Sequence, residues 1–311
     1  MIALLLGAGF SKWAANLPLA TELFDFAIEP FGIREKCRLE RVRKAKFQWD
    51  AMKPDALAEQ FIAAVLSCEN VRSRKDVLWY VARRISEPYI WQEWHAGRFR
   101  RHVLMVDENR KWDRPGVRTA AEFIVQCGRQ LAGVITLNYD LLVEYALGSG
   151  GFNYGANDEV LQGHGPYPVS QWRNPARLTG QLPLAKLHGS ISWDAEGKCT
   201  DGRRGLSGRT LIVAPTPEKR PPAELREQWV LSSRILGRAS RLLVFGFGFN
   251  EYNEAVLLHL AHAGQNVREV VIVDVCSRET AAAQLWPRAQ IRSYQPPPEG
   301  LSGIQAWLKR D

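Results

Sequence analysis

Paired cysteines are missing from this chain. Its five cysteines, Cys37, Cys68, Cys127, Cys199 and Cys276, are scattered so that no two fall within four positions. The Cys-x2-Cys spacing of a structural zinc ribbon is therefore absent. An odd, dispersed set fits reduced thiols in a cytoplasmic protein better than a disulfide framework. Long apolar runs are missing too, since none approaches the roughly 20 residues that a membrane-spanning helix needs. The opening Met1-Ile2-Ala3-Leu4-Leu5-Leu6 has no basic residue ahead of it and no small-residue cleavage site, and Gly7-Ala8-Gly9 ends it at once. That pattern predicts a buried first strand rather than a signal peptide, and no membrane association. There is no internal repeat and no low-complexity tract.

What is present suits a globular enzyme-sized chain. Its 311 residues, 46% hydrophobic and 24% charged, leave room for one large α/β domain with an insertion, or for two domains. The net charge of +8 is uneven: residues 33–115 hold 19 Lys and Arg against 12 Asp and Glu. A local basic excess attracts phosphates or acidic partners, and it equally describes a solvated helical surface.

The two ends of the chain alternate short apolar runs with helical patterns. Residues 2–6 predict a strand, followed by a glycine turn and a helix over 20–28 built on Leu23, Phe24 and Ala27. A helix over 120–131, a strand over 133–137 and a helix over 140–147 come next. Beyond a Gly-rich stretch, 148–166, short strands are expected at 184–187 and 211–213, then a helix over 222–236. Strand 241–245, helix 253–263, strand 269–274, helix 278–285, a short strand near Ile291 and a last helix over 300–308 complete the series. Continuous apolar strands alternating with helices predict an α/β fold with a doubly wound, parallel, Rossmann-like sheet covered on both faces. Residues 30–115 break that rhythm. They are rich in Arg and Trp (Trp49, Trp79, Trp91, Trp94, Trp112), with Leu57, Phe61 and Val65 at helical spacing. They predict a helical insertion packed on a core made of 1–29 and 116–311.

Three motifs fall where strands are expected to end. Gly7-Ala8-Gly9-Phe10-Ser11 follows the first strand; two glycines let the backbone approach a pyrophosphate, and amides opening the next helix can hold it. Position 12, where a dinucleotide fingerprint has its third glycine, is Lys12, so a tight turn without ligand is the competing reading. Thr136-Leu137-Asn138-Tyr139-Asp140 offers Asn138 and Asp140 to orient a ribose or a water, or simply to cap the helix that follows. Lys186-Leu187-His188-Gly189-Ser190 brings a histidine, the side chain suited to proton transfer near neutral pH, although a lone histidine after a strand is more often structural. His259 and His262 have no nearby Cys or carboxylate and read as structural, so no metal site is expected. His95 and His102 have no identifiable partners.

Taken in order, Gly-Ala-Gly-x-Ser, Thr-x-Asn-x-Asp and Leu-His-Gly-Ser resemble the sirtuin-like NAD-binding fold, closest to the bacterial sirtuin-like domains of antiphage defence that hydrolyse NAD. Ile212-Val213-Ala214-Pro215-Thr216 with Lys219 looks like that family's Pro-Pro-Thr-x-x-Lys stretch. Phe245-Gly246-Phe247-Gly248-Phe249 resembles its Gly-Tyr-Ser segment, and Asp274 ends a strand where the family meets the adenosine ribose. The resemblance covers 2–29 and 117–275. It implies a sirtuin-type sheet in which Asn138 orients a water, His188 acts as base, and Asp140 holds Asn138 or the nicotinamide-side ribose. It further implies that Gly7, Ala8, Gly9 and Ser11 hold phosphates, with Thr136 among the binding residues, and that Gly246, Phe247 and Asp274 flank the adenosine half.

The implied activity is that of a cytoplasmic NAD+ glycohydrolase, with NAD as its substrate, depleting NAD in antiviral defence. Departures from the deacetylase branch are the missing zinc ribbon, Leu137-Asn138-Tyr139-Asp140 in place of Gln-Asn-Ile-Asp, and Asn16-Leu17-Pro18-Leu19-Ala20 in place of Ile-Pro-Asp-Phe-Arg. They argue against deacylation. Gly248 and Asn253 replace the Ser and Asp usual in the late motif and bear on nucleotide affinity. A non-catalytic NAD or ADP-ribose sensor and an ADP-ribosyltransferase are the alternatives, and the residues alone do not separate them. The family also implies a homo-oligomer and a separately encoded partner such as a HerA-type ATPase. For the insertion, self-association or protein docking is the expectation, with nucleic acid the lesser alternative.

Overall fold

A computed structural model describes residues 1–89, 91–95, 98–102, 115–127, 130–148, 151–155, 182–194, 210–214, 223–296 and 304–308, with 91–95 and 98–102 described at the backbone. Strand β1 (Ile2–Leu6) runs directly into helix α1 (Ala8–Ala15). Helices α2 (Gly32–Met52), α3 (Ala58–Ser67) and α4 (Val71–Ser86) follow, then a hairpin of β2 (Trp91–His95) and β3 (Arg98–His102). Next come α5 (Val117–Gln126), β4 (Leu131–Thr136), α6 (Leu142–Leu147), β5 (Phe152–Asn153), β6 (Leu182–Lys186), β7 (Gly189–Asp194) and β8 (Thr210–Ile212). The last third alternates α7 (Arg226–Arg238), β9 (Arg241–Phe245), α8 (Glu254–Ala263), β10 (Glu269–Val273), α9 (Glu279–Leu285), β11 (Gln290–Tyr294) and α10 (Gln305–Leu308).

Seven strands form one sheet in the order β11-β10-β9-β1-β4-β6-β5, with every neighbouring pair parallel. The continuous apolar runs of β1, β4 and β9 are buried at every position, as strands covered on both faces must be. From β1 the chain moves to β4, then to β5 at the edge, and comes back to place β6 between them. It then returns to the other flank of β1 and builds outward again through β9, β10 and β11. Right-handed crossovers running in opposite directions put their helices on opposite faces. Accordingly α1, α5 and α6 pack together, and α7, α8 and α9 form a second group. This is an α/β, Rossmann-like architecture whose strand order reverses between β1 and β9.

Several expected elements differ. The first helix is not at 20–28: α1 occupies Ala8–Ala15, and residues Ala20–Glu22 form a single 3-10 turn. Asn16 in the left-handed region ends α1, and Phe26 at φ 56 breaks any continuation through 20–28. The apolar residues there serve tertiary packing instead: Phe24 stacks on Tyr80 and meets Phe61 edge-on. The expected strand at 211–213 belongs to a separate antiparallel pair, β7 with β8. The insertion is not wholly helical, since β2 and β3 pair antiparallel within it. The last described helix is the single turn Gln305–Leu308. Cys199, Pro215, Thr216, Lys219, Trp112 and most of the Gly-rich stretch lie outside the described residues.

The helices of the insertion share one hydrophobic core with the sheet. Phe61, Ile62, Val77, Trp79 and Tyr80 belong to the same buried cluster as Ile2, Leu4 and Ile135. Much of its basic character is spent internally. Asp76 of α4 accepts hydrogen bonds from Arg38 Nε (2.9 Å) and Arg41 Nε (2.6 Å) of α2, and Arg84 pairs with Asp25. The strap between α1 and α2 is pinned on α4, where the Tyr80 hydroxyl donates to the Leu23 carbonyl and accepts from the Phe26 amide. Among the described residues, no helix is long and apolar enough to cross a membrane.

Candidate functional site

A cavity of about 410 Å³ lies over the carboxyl ends of β6, β4, β1, β9 and β10. That is the crevice in which open parallel sheets collect ligands, and its volume falls within the ordinary range for small-molecule sites. From β6 to β10 is four strand spacings, about 19 Å at about 4.8 Å each. The cleft therefore has the length of an extended dinucleotide rather than of a single nucleoside.

Asn138 follows β4, on the β6 side of the cleft, and its amide is held by the β1–α1 turn and by α1. Its Nδ2 donates to the Gly7 carbonyl at 2.9 Å and to Ser11 Oγ at 2.8 Å. A carbonyl only accepts, so the amide orientation is determined, and Oδ1 is the atom left facing the cleft. Oδ1 accepts from no described residue. Ser11 Oγ donates its own hydrogen bond to Asp140 Oδ2 at 2.7 Å, and Asp140 Oδ1 accepts from the Leu142 amide at 2.9 Å at the start of α6. Asp140 thus caps the helix and orients Ser11, which orients Asn138. The Ser11 hydroxyl, 3% exposed, is occupied by this relay. Behind it, Lys186 Nζ donates to the Asp140 carbonyl and to Glu144 Oε1 (2.8 Å), fixing the turn from below.

His188 closes the β6 end of the cleft. Its backbone is clamped because the Leu187 amide donates to the Thr136 carbonyl and the Val213 amide donates to the His188 carbonyl. Gly189 turns the chain at φ +82, and a Cβ there would sit 2.2 Å from the Leu211 carbonyl oxygen. The imidazole has no hydrogen-bond partner among the described residues, and its ring lies 6.3 Å from that of Tyr139. Burial lowers its pKa to about 4, so it is neutral at pH 7.

The glycine turn has a packing reason of its own. A Cβ on Gly7 would approach the Gly246 carbonyl oxygen to 2.4 Å, and one on Gly9 would approach Gly246 Cα to 2.6 Å. Gly246 itself has φ +62. The turns after β1 and β9 pack backbone on backbone, and the Gly7 and Gly9 amides donate to the Phe245 and Gly246 carbonyls. Ala8, which opens α1, also lines the cleft, and its amide donates to no backbone carbonyl of the described residues.

Of the sequence-derived site residues, Gly7, Ala8, Gly9, Ser11, Asn138, Asp140, His188, Gly246, Phe247 and Asp274 all line this cavity. Thr136 does not: its hydroxyl donates to the Leu6 carbonyl and accepts from the Asn138 amide, fastening β4 to β1 beneath the site. Two lining residues, Arg278 and Glu59, had no motif to reveal them, and Asn253, from the late motif, lines the cavity with them. Arg278, at the start of α9, has a buried Nε with no partner among the described residues, and Asn253 has a buried Oδ1 with none among them. Glu59 reaches the cleft from α3 (Ala58–Ser67), far upstream of β4 (Leu131–Thr136) in the chain. Unsatisfied buried polar atoms lining a cavity are the mark of a place where a ligand supplies the missing partners. Among the described residues, no three His, Cys, Asp or Glu side chains gather as a metal site would. The chain matches no family model, no curated protein and no solved structure.

Proposed function

We propose that this protein is a sirtuin-like NAD+ glycohydrolase that breaks the bond between nicotinamide and ribose. The observation that carries the reading is that Asn138 and His188 are brought to one cleft. Neither Asn138 Oδ1 nor the His188 imidazole has a hydrogen-bond partner among the described residues, and both lie toward the β6 side of a dinucleotide-length cleft that Asp274 and Arg278 line on the β10 side.

In this reading the C1′–N bond breaks and its electron pair stays on nitrogen, so the pyridinium leaves as neutral nicotinamide. The ribose is left with oxocarbenium character. Asn138 Oδ1 accepts a hydrogen bond from the attacking water, or from a ribose hydroxyl beside it, and sets its direction. The water oxygen bonds to C1′ and loses a proton to neutral His188. Water bonded to a cationic carbon is strongly acidic, so an imidazole of low pKa is basic enough. Arg278 and the Ala8 amide carry the diphosphate charge, and Asp274 accepts from the adenosine ribose.

Nicotinamide release by the purified protein, alone and with a HerA-type ATPase added, tests the proposal. Asn138→Ala and His188→Ala are each expected to lose at least about 100-fold in turnover with unchanged circular dichroism. Wild-type turnover in either variant overturns the assignment. Binding of NAD without release makes the protein a nucleotide sensor, and addition of ADP-ribose mass to a target makes it a transferase.

A further inference from the structure

Glu59 is the acid that the insertion delivers to the cleft. The N-terminus of α3 is capped by Gln60, whose Oε1 accepts from the Leu57 amide at 2.9 Å, so Glu59 is not needed for that contact. Phe61 and Ile62, in the same turn, are buried in the core and fix the rotation of the helix. Ala58, Glu59 and Ile62 then face the cleft, at helical spacing. Glu59 is half-buried and makes no hydrogen bond or ion pair to another described side chain. Position in the first turn of a helix favours a carboxylate, yet burial still pushes its pKa above the usual value.

Its location within the cleft is also defined. The Tyr139 hydroxyl is pushed up, first by burial and then by the negative charge of Glu59. The packing agrees: α3 lies on α4, α4 lies against β8, and Val213 just after β8 donates to the His188 carbonyl and accepts from the Tyr139 hydroxyl, so Glu59 belongs to the Asn138–His188 end. Among the described residues, the sole Lys or Arg lining the cleft, Arg278, stands at the opposite end, beyond β10. A partly desolvated carboxylate without a counter-ion is stabilised by any cation brought beside it.

We propose that Glu59 reads the positive charge of the oxidised nicotinamide ring, so that the cleft takes pyridinium dinucleotides in preference to their neutral, reduced counterparts. The same carboxylate offsets the charge that moves onto the ribose as the C1′–N bond breaks. This rests on the NAD reading of the site and adds to it a charge-selecting residue supplied by the insertion.

Calorimetric binding of NAD+ and NADH by the full chain, in a His188→Ala background that spares the ligand, tests the selection. NAD+ is expected to bind at least 10-fold more tightly than NADH. Adding Glu59→Gln, which keeps shape and removes charge, brings the two affinities within twofold while leaving that for NADH unchanged. With His188 intact, Glu59→Gln lowers kcat at least 10-fold, and Glu59→Asp restores part of it. Equal binding of the two nucleotides by the Glu59-containing protein, or an undiminished preference in Glu59→Gln, overturns the proposal and leaves the NAD reading standing. Loss of preference in a protein that never releases nicotinamide supports the role of Glu59 and removes the hydrolase reading. Failure to bind either nucleotide overturns both.

Discussion

His188 is buried, has no hydrogen-bond partner among the described residues and is neutral at pH 7, and its pKa of about 4 has two consequences. The acid limb of kcat/KM for nicotinamide release is expected to stay flat from pH 8 down to about 6 and to fall only toward pH 4, unlike the profile of a solvent-exposed histidine. The second consequence is for stability. The unfolded chain takes up a proton on this residue near pH 6.5, whereas the folded chain resists until about 4. Stability is therefore full above about pH 6.5 and lost as the pH falls through that window, by on the order of 3 kcal/mol for this residue. His259 adds a change of the same sign: burial, then the charge of His262, lowers it to about 4. Urea melts between pH 8 and 4 measure the slope, and His188→Gln should flatten it. Asn138 and His188 were legible in the sequence because each follows an apolar run that ends on a turn. The Ser11–Asp140 link was not, since its partners are separated by 129 positions and meet only when β1 and β4 pair.

At the scale of elements, the turns after β1 and β9 behave as one unit. Gly246→Ala adds a methyl within 2.4 Å of Gly9 Cα at a backbone angle that L residues avoid. Neither turn can yield without moving a central strand, so the expected cost is about 3 kcal/mol or more, drawn from left-handed strain and overpacking together. Thermal melting checks the size, and a variant as stable as wild type would mean that the two turns are not packed as tightly as described. The pattern at 20–28 shows why local periodicity misled. Leu23, Phe24 and Ala27 have helical spacing, but Phe24 and Phe26 are claimed by Tyr80, and the Tyr80 hydroxyl bonds the strap's backbone. The gain from that aromatic cluster outweighs a short isolated helix, which is marginal alone. Similarly, the apolar run at 211–213 signalled a strand without signalling its partner, and β8 pairs with β7 instead of entering the large sheet.

Across the whole molecule, the cleft carries opposite charges, with Glu59 toward one end and Arg278 toward the other. Arg278→Ala is expected to weaken NAD+ and ADP-ribose binding by about 10- to 100-fold, the worth of a charge-assisted hydrogen bond to phosphate. Free nicotinamide, which carries no phosphate, should bind as before. Calorimetry with the three ligands separates a phosphate role from general damage to the site. The shared core makes a second whole-molecule prediction. Trp79 is 1% exposed in α4, packed in the cluster that includes the sheet and covered by Arg38 at 5.0 Å. Trp79→Ala should cost about 3–5 kcal/mol and shift a single unfolding transition, seen alike by far-ultraviolet circular dichroism and tryptophan fluorescence. Two transitions of which only one moves would show that the insertion unfolds on its own.

The parallel sheet and the turns that carry Gly7, Asn138, His188 and Gly246 followed from the sequence alone. Strand burial is a local property, written in runs of apolar residues bounded by glycine and polar turn residues. The order β11-β10-β9-β1-β4-β6-β5 was decided by tertiary structure, because which strands become neighbours depends on the direction of each crossover. That order brings five strand ends under one cavity. The same holds for Glu59 and Arg278. Each is an unremarked charge on a helix in the chain, and each becomes a site residue only where packing of α3 and α9 aims it into the cleft. Chemistry that follows a strand was visible in the chain, whereas chemistry brought in from the side required the fold.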